Sequence, residues 1–261
     1  MTINVSKNAL RNSYWMLFLS SVLFSCDVAL ESSSDQNHSF IFKQVYENYE
    51  EPGCQSENCA TVGIKKVTIE DSHRLNQYID DLIKESISTF TRTESSQNVN
   101  EAIDAFFSDF KEFKEAFPES RTPWEIQITM TVDWMIQSNG WLSIRTETYS
   151  YTGGAHPNYE VQFNNLGTSG KKVTTRDWLK DQSQLEKIAE QYFREEKGIL
   201  ATQTLNDAGY EFVNGFELPE NMGFGKGYLI LMYNAYEIGS YADGPTEIKI
   251  PISELKGIIA D

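Results

Sequence analysis

An alternating stretch of apolar and polar residues constrains the fold of this chain more than any other feature. In WEIQITMTVDWMIQ, residues 124–137, every second side chain is apolar, and those between are polar or acidic as far as Asp133. A period of two sends successive side chains to opposite faces of a strand. The stretch therefore predicts a long β-strand with one buried face. The Asn-Gly pair at 139–140 predicts a hairpin turn, after which WLSIRTETYSY returns as the next strand.

Two helices are predicted before this strand, because apolar residues recur there at three- and four-residue spacing. The first follows a cap at Asp71 or Ser72. The second begins near Asn98, where Glu101 completes a capping-box pattern. Its apolar stripe is a ladder of phenylalanines, which at this spacing indicates core packing rather than a ligand pocket. The ladder consists of Phe106, Phe107, Phe110, Phe113 and Phe117.

Further strands are predicted by β-branched and aromatic runs at 40–50 and 60–70, in YEVQFNN and KKVTT, and again from Phe212 onward. Ser183 and Glu186 form a second capping-box pattern that predicts a later helix, and SELKGII predicts a closing one. Helices are grouped with antiparallel strands, without strict alternation of strand and helix. This grouping indicates the α+β class, with antiparallel sheets and packed helices in two subdomains.

The N-terminus has the pattern of an export signal. Lys7 and Arg11 precede YWMLFLSSVLF, residues 14–24, an apolar run too short to cross a bilayer as a stable helix. The run ends in LFSC, which resembles a bacterial lipobox and predicts cleavage before Cys26 and lipidation of that cysteine. Buried acyl chains contribute about 0.8 kcal/mol per methylene, so several chains would anchor the protein durably. An ordinary secretory signal and a short core helix are the alternatives.

The two other cysteines predict a disulfide. Cys54 and Cys59 lie in GCQSENCAT, in a chain that the signal pattern directs out of the cytoplasm. An isolated pair in an exported protein is more simply a disulfide than a metal site, because a zinc site needs two further ligands that the neighbouring sequence lacks. Closing so short a loop stabilises the fold by roughly 2 kcal/mol on the chain-entropy argument.

The exported part of the chain is strongly acidic. The whole sequence has 22 lysine and arginine residues against 38 aspartate and glutamate residues, a net charge of −16. Removal of residues 1–25 takes away Lys7 and Arg11 and no acid, which leaves 20 basic residues against 38 acidic ones and a net charge of −18. Such a surface repels nucleic acid and anionic lipid headgroups and favours cationic partners. Simple solubility is the alternative explanation.

The predicted organisation has four parts. Residues 1–25 are the lipoprotein signal peptide, and residues 26–39 are a polar, flexible tether. Residues 40–122 form an N-terminal α+β part, and residues 123–261 form a C-terminal α+β domain. The length after the tether is enough for one large domain or two small ones.

Two separated motifs carry a family resemblance. YSYTGGAHPN, followed about eighty residues later by YLILMYNAYEIGSYADGPTEIKIPISEL, resembles domain of unknown function 3298 of exported bacterial proteins. CATVGIKKV, before the helix LNQYIDDLI, resembles domain of unknown function 4163, its usual companion. Together the resemblance covers nearly everything after the tether.

The resemblance implies an envelope protein with a binding module. Members include the extracytoplasmic, RsiV-like part of a lysozyme-sensing anti-sigma factor and the non-catalytic part of a peptidoglycan deacetylase. Their fold is similar to an α+β subdomain of the Hsp70 nucleotide-binding region, which does not imply nucleotide binding. This sequence has no pattern of a sigma-binding segment or of a polysaccharide-deacetylase domain. The resemblance therefore implies neither of those two activities here.

The stretch TGGAHPN predicts a structural corner around His156. Gly153 and Gly154 can adopt positive φ or admit a close neighbour, and Pro157 biases the backbone of His156 away from the helical region. Together these residues predict a bulge or tight crossover between the flanking strands. His156 is then expected to brace neighbouring main chain rather than to transfer protons.

The loop AYEIGSYADGP supplies the other half of a candidate site. Tyr236 and Tyr241 interleave with Glu237 and Asp243, and aromatic rings beside carboxylates suit a sugar face or a basic protein. We expect His156 to hydrogen-bond to one of these carboxylates or to a carbonyl of the loop. The alternative is that the tyrosines pack beneath the loop. The candidate binding residues are Tyr151, Gly153, Gly154, His156, Pro157, Asn158, Tyr236, Glu237, Tyr241 and Asp243.

The sequence favours a protein without catalytic activity. It contains three histidines and no GxSxG motif, so neither a histidine-rich metal site nor a serine triad is expected. We predict a lipid-anchored, extracytoplasmic protein of the bacterial cell envelope, on the periplasmic side or the outer surface. It is expected to use no cofactor or metal and to bind a lysozyme-like cationic protein or a cell-wall glycan, and no nucleic acid.

Two alternatives remain for the function. The first is a glycan hydrolase that uses Glu237 and Asp243 as acid and base near His156, since paired carboxylates are the general requirement of that chemistry. The second is a purely structural domain of an envelope lipoprotein, which predicts an exposed apolar patch.

Overall fold

The computed structural model describes residues 40–55, 58–92, 95–135 and 140–260. The predicted signal peptide, the lipidation site Cys26 and the tether lie outside the described residues, as does most of the predicted Asn-Gly hairpin turn. The described parts form a mixed α+β structure with two sheets and two hydrophobic cores. None of the described helices is long and apolar enough to cross a membrane.

Five strands form the first sheet. They are β1 (Phe42–Glu50), β2 (Ala60–Ile69), β3 (Trp124–Met135), β4 (Trp141–Tyr151) and β5 (Asn158–Gly167), hydrogen-bonded in that order. Every pairing is antiparallel except that of β2 with β3. A parallel pair needs a long crossover connection, and the helices between β2 and β3 provide it. The alternating stretch is β3, and its predicted buried face is confirmed at Ile126, Ile128 and Met130.

The two predicted helices, α1 (His73–Ser88) and α2 (Val99–Ala116), pack their apolar faces on this sheet. The phenylalanine ladder of α2 is core at Phe106, Phe107 and Phe110, as predicted from its spacing, and Phe113 packs against this core, whereas Phe117 at the end of the ladder is exposed. Asn98 caps α2 as predicted, because its side chain accepts a hydrogen bond from the Glu101 amide at 3.0 Å. At α1, Ser72 occupies the N-cap position, but its side chain makes no capping bond.

The predicted disulfide is confirmed. Cys54 and Cys59 are bonded, with their Cα atoms 5.9 Å apart, and they close the loop between β1 and β2. At the base of this loop the Glu51 amide donates to the Ala60 carbonyl at 2.9 Å. The loop is therefore held both covalently and by continuation of the strand ladder.

The rest of the chain builds a second, smaller sheet with its own core. The elements of this part of the chain are α3 (Thr175–Trp178), α4 (Gln182–Lys197), β6 (Met222–Gly225), β7 (Tyr228–Tyr233) and β8 (Thr246–Pro251). The three strands pair antiparallel in chain order. Leu185, Ala189 and Phe193 form the apolar face of α4 and are fully buried against this sheet.

Two predictions for the middle of the chain are wrong. α4 begins before the predicted capping box, because Asp181 accepts a hydrogen bond from the Gln184 amide at 2.9 Å and caps the helix in place of Ser183. KKVTT forms no strand and contributes a single bridge, between Leu166 and Lys172. The chain turns into α3 directly afterwards, which ends the pairing.

Two predictions for the C-terminal part are also wrong. Strand structure was predicted from Phe212 onward. Phe212 is buried, but the first strand of this part begins only at Met222. SELKGII forms a 3-10 turn over Ile252–Glu254 instead of a helix. Further along this segment, Gly257 has φ of 80° and takes the left-handed conformation, so a right-handed helix cannot continue through it.

The second sheet packs on the outer face of the first. Gly223 lies so close to the ring of Phe163 that any side chain at 223 would overlap it, and the Phe224 amide donates to the Ser143 hydroxyl at 2.9 Å. The predicted domain boundary at 122/123 falls between α2 and β3, and the pairing of β2 with β3 carries the first sheet across it. The first sheet therefore contains residues from both predicted parts.

Candidate binding site

Two hairpin loops bring the predicted residues together. Residues 152–157 join β4 to β5, and residues 234–245 join β7 to β8. Gly153 has φ of 89°, so this glycine supplies the left-handed conformation that the first loop needs, whereas Gly154 does not take positive φ. The diglycine corner is thus a hairpin loop between neighbouring antiparallel strands, and the predicted bulge or crossover is wrong.

His156 stacks on Tyr241 across the two loops. The ring centroids are 3.7 Å apart and the planes are inclined by 23°. The Tyr241 hydroxyl donates to the Pro157 carbonyl at 2.7 Å, and Nδ1 of His156 lies 2.9 Å from the same oxygen. The structure therefore pairs His156 with main chain of its own loop and with a ring of the other loop. The predicted partners, which were Glu237, Asp243 or a carbonyl of the second loop, are wrong. The carbonyl that His156 contacts belongs to its own loop, and both carboxylates are engaged elsewhere.

Tyr236 completes a group of three rings at the surface, which we call the aromatic cluster: exposed His156 and Tyr236, and half-buried Tyr241. The Tyr236 ring lies 5.7 Å from that of Tyr241 and is 66% exposed, so it does not pack beneath the loop. Its φ of 72° is uncommon for a bulky residue. Strain of this kind persists only where the surrounding structure holds it, and it concentrates at functional sites.

Asp243 shapes the turn that carries Tyr241. Its carboxylate accepts hydrogen bonds from the Ser240 hydroxyl at 2.7 Å and from the Ser240 amide at 2.9 Å. These two bonds favour the ionised form and lower the pKa of Asp243 below its usual range. The carboxylate is therefore charged at neutral pH and committed to the backbone of its own loop.

Of the two carboxylates considered as an acid–base pair, Asp243 does not have the property of a general acid. A general acid needs a raised pKa, whereas the pKa of Asp243 is lowered. Glu237 accepts a hydrogen bond from the Asn234 amide group at 3.3 Å. Across the stretches that the structure describes, no group of three or more histidine, cysteine, aspartate or glutamate side chains is arranged to hold a metal ion.

A polar cleft of about 410 Å³ adjoins the aromatic cluster through Glu237, and we call it the acidic cleft. Its walls carry three glutamates, Glu160, Glu220 and Glu237. Among the described residues, none of the three forms an ion pair with a lysine or arginine. Its full lining is Glu160, Gln162, Phe163, Asn164, Glu220, Asn221, Asn234 and Glu237.

Asn221 and Asn234 form one wall of the acidic cleft by capping the edge of β5. The Val161 amide donates to Oδ1 of Asn234 at 2.9 Å, and the Phe163 amide donates to Oδ1 of Asn221 at 2.8 Å. Both asparagines donate through Nδ2 to the Val161 carbonyl, at 3.1 and 2.6 Å. The side-chain amides thus replace a neighbouring strand, and they protect an edge that could otherwise pair with another chain.

The remaining predicted residues belong to the base and rim of the first loop. Tyr151 is the last residue of β4. A Cβ atom at Gly153 would lie 3.3 Å from the Thr122 methyl, so this glycine lets the loop lie close to the segment before β3. Gly154 and Asn158 are exposed. These residues determine the path of the loop, and the ring contacts are made by the aromatic cluster.

An ion-pair network that had not been predicted from the sequence lies where the two sheets meet. Arg145 of β4 binds Glu147, at 2.7 Å, and Glu247 of β8. The Tyr159 hydroxyl donates to Glu147 at 2.8 Å, and burial together with this bond raises the pKa of Tyr159 to about 12. Burial disfavours the ionised form of Glu247, but hydrogen bonds from Lys249 and Arg145 outweigh it, so the pKa of Glu247 is lowered. The alternating charges of RTET in β4 were the available signal.

Two family models match separate segments of the chain. Residues 54–159 match the model described as deacetylase PdaC, and residues 172–253 match the model described as protein of unknown function DUF3298. The aromatic cluster takes His156 from the first segment and its two tyrosines from the second. No curated protein matches the chain.

Two solved structures share the fold. A DUF3298 family protein from Pseudomonas aeruginosa PAO1 is 22% identical over 85% of this chain and 95% of its own, with a TM-score of 0.61. A member of the same family from Bacteroides fragilis NCTC 9343 is 21% identical over 85% of this chain and 94% of its own, with a TM-score of 0.64. The chain therefore carries a PdaC-like domain followed by a DUF3298 domain, in an α+β fold that it shares with DUF3298 family proteins.

Proposed function

We propose that this protein is a non-catalytic binding module of the bacterial cell envelope and that its site binds a basic protein of the lysozyme type. The observation that carries the proposal is the aromatic cluster, which two separate hairpin loops assemble and whose Tyr236 directly precedes Glu237 of the acidic cleft. Aromatic faces attract cations, and carboxylates accept charge-assisted hydrogen bonds. Lysine and arginine side chains of a partner suit both features.

The charge of the whole chain supports the same partner class. The sequence after the predicted cleavage site has a net charge of −18, because 20 basic residues stand against 38 acidic ones. A protein field of this sign speeds encounter with a basic partner and repels acidic ones. Lysozymes are commonly basic, so the long-range field and the local site favour the same ligand.

A cell-wall glycan is the second candidate ligand. The Tyr236 ring, 66% exposed, offers a face on which a sugar ring can stack. The three glutamates without basic partners among the described residues favour the basic protein, since a neutral sugar would leave their charge uncompensated.

The family resemblance also supports the proposal. The DUF3298 and PdaC-like matches support membership among envelope proteins. The RsiV-like character, the companion domain of unknown function 4163 and the likeness to an Hsp70 subdomain stay predictions. Anchoring through lipidated Cys26, which would hold the site outside the cytoplasm, also stays a prediction.

Calorimetric titration of the full chain in detergent with lysozyme tests the proposed ligand. We expect binding at low salt that weakens as salt is added, because exposed charges are screened. Tyr236→Ala and Glu237→Gln are expected to weaken binding, whereas Glu115→Gln, which removes the same charge from an exposed position on α2, is the matched control. Absence of binding at low salt contradicts the proposal. Binding of soluble peptidoglycan fragments instead of lysozyme would favour the second candidate.

Metabolic labelling with a fatty-acid analogue tests the anchor separately. We expect the wild-type chain to incorporate the label and to fractionate with membranes, because the LFSC pattern predicts lipidation of Cys26. Cys26→Ser is expected to lose both properties. An unlabelled wild-type chain released into the soluble fraction would favour an ordinary secretory signal.

A further inference from the structure

A second and more enclosed cavity, of about 230 Å³, shares a wall with the acidic cleft. Glu160 and Gln162 of β5 line both cavities. The other side of the cavity is the C-terminal end of α1. We call this cavity the β5 pocket, and its lining is Glu85, Ser86, Thr89, Phe90, Thr148, Glu160 and Gln162.

The β5 pocket offers more hydrogen-bond acceptors than donors. Glu85 and Glu160 contribute carboxylates, and among the described residues neither forms an ion pair with a lysine or arginine. The hydroxyls of Ser86 and Thr89 donate back to carbonyls of α1, so their oxygens remain as acceptors. Gln162 donates to Glu160 at 2.7 Å. A ligand that brings several donors and a positive charge suits this lining.

The end of α1 adds negative potential at the same place. A helix carries a partial negative charge at its C-terminus, which a lysine or arginine in the last turn commonly offsets. The last turn of α1 contains no basic residue. Thr89, at the C-cap, lines the pocket, so the end of this helix faces the pocket without a cation of its own.

A buried hydroxyl without a partner lies on the same face of the sheet as the strand residues that line the pocket. Thr146 of β4 lies opposite Gln162 of β5, and directly opposite residues of antiparallel strands share a face of the sheet. Thr146 is 3% exposed, and its Oγ1 has no hydrogen-bond partner among the described residues. Buried hydroxyls are normally satisfied, so this face of the sheet holds a polar group without a partner beside Thr148 and Gln162, which line the pocket.

We propose that the β5 pocket receives one arginine side chain of a basic partner, and this inference rests on the proposed function. A guanidinium carries five N–H donors in a planar fork that matches carboxylate geometry, whereas an ammonium is a compact point charge. Glu85 and Glu160 supply the carboxylates, and the ring of Phe90 supplies an aromatic wall for the guanidinium plane. The pocket would then make arginine preferred over lysine at one position of the partner.

Nuclear magnetic resonance of the isotopically labelled full chain in detergent, titrated with arginine amide, tests the pocket without any protein partner. We expect saturable shifts of the Thr89 and Thr148 amides with arginine amide and none with citrulline amide, its uncharged isostere. Glu85→Gln is expected to weaken arginine binding at least fivefold, because it removes a charged acceptor that lines only the β5 pocket and not the acidic cleft. Glu115→Gln is the matched control and is expected to bind arginine like the wild type.

Three results would overturn the inference: no saturable shift in the pocket, equal shifts with citrulline, or unchanged arginine affinity in Glu85→Gln. The experiment is separable from the test of the proposed function. Lysozyme binding without arginine binding would leave the function standing and remove the pocket. Arginine binding without lysozyme binding would leave the pocket standing and remove lysozyme as the ligand. The search would then turn to other arginine-bearing partners.

Discussion

Two groups of aromatic rings in this molecule have comparable spacing and opposite surroundings. In the first core, the Trp124 ring lies 5.3 to 5.7 Å from the rings of Phe106, Phe110 and Phe113. In the aromatic cluster, the centroid distances are 3.7 and 5.7 Å, but the rings border solvent and come from two separate loops. Ring contacts alone therefore do not distinguish a stabilising group of rings from a binding group. Exposure and the origin of the rings in the chain do.

The largest expected effect is on the buried group. Phe110 is fully buried, so Phe110→Ala removes a large apolar side chain and leaves a cavity. We expect the free energy of unfolding to fall by about 3 to 5 kcal/mol. Chemical denaturation followed by tryptophan fluorescence measures this change. The control is Phe117→Ala at the exposed end of the same ladder, where the loss should stay below about 1 kcal/mol. Equal losses at the two positions would contradict the assignment of the ladder to the core.

The exposed group should show the opposite balance of effects. Tyr241→Ala removes the stack on His156 and the hydrogen bond to the Pro157 carbonyl. We expect stability to fall by only about 1 kcal/mol, whereas lysozyme affinity should fall at least about tenfold. Tyr241→Phe keeps the ring and loses only the hydroxyl, so its lysozyme affinity should lie between that of the wild type and that of Tyr241→Ala. A loss of stability as large as that of Phe110→Ala, with affinity unchanged, would make the aromatic cluster a structural element.

The smallest effect concerns pH and again separates the two groups. The folded pKa of Asp243 lies below its ordinary value of 3.8, so its support for the Tyr241 turn is complete above that pH and is lost as the pH falls through the lowered pKa. We expect the Tyr241 amide signal to be constant near neutral pH and to move only in strong acid, while signals of the Phe110 region stay unchanged over that step. Asp243→Asn should abolish the acid step. A step centred well above the ordinary pKa would show that the carboxylate is not held as described.

Much of the fold was predictable because its signals are local. The period of two in β3 and the phenylalanine spacing in α2 each follow from which face of one element is buried. The disulfide followed from two cysteines five positions apart in a chain predicted to be exported. Predictions failed where a single residue changed the backbone, as Gly257 did by ending a predicted helix, or where a neighbouring side chain provided a better cap, as Asp181 did for α4.

The candidate site was predictable only in part, because it depends on contacts between distant segments. The two loops that were predicted to form the site do meet at His156 and Tyr241. The amides of Asn221 and Asn234, however, acquire their role only when β5 presents an unpaired edge beside them. No local pattern marks either asparagine for that position. The acidic cleft and the β5 pocket arise from the same packing, so sequence reasoning missed both.

Hydrogen exchange of the full chain with and without lysozyme tests where the partner makes contact. On the proposed function, the two loops at the aromatic cluster form the contact surface. We predict slower exchange at residues 152–157 and 234–245 when lysozyme is bound, with the buried amides of β3 unchanged. Protection confined to other surfaces, such as the outer edge of β1, or no protection at saturating lysozyme, would contradict the account.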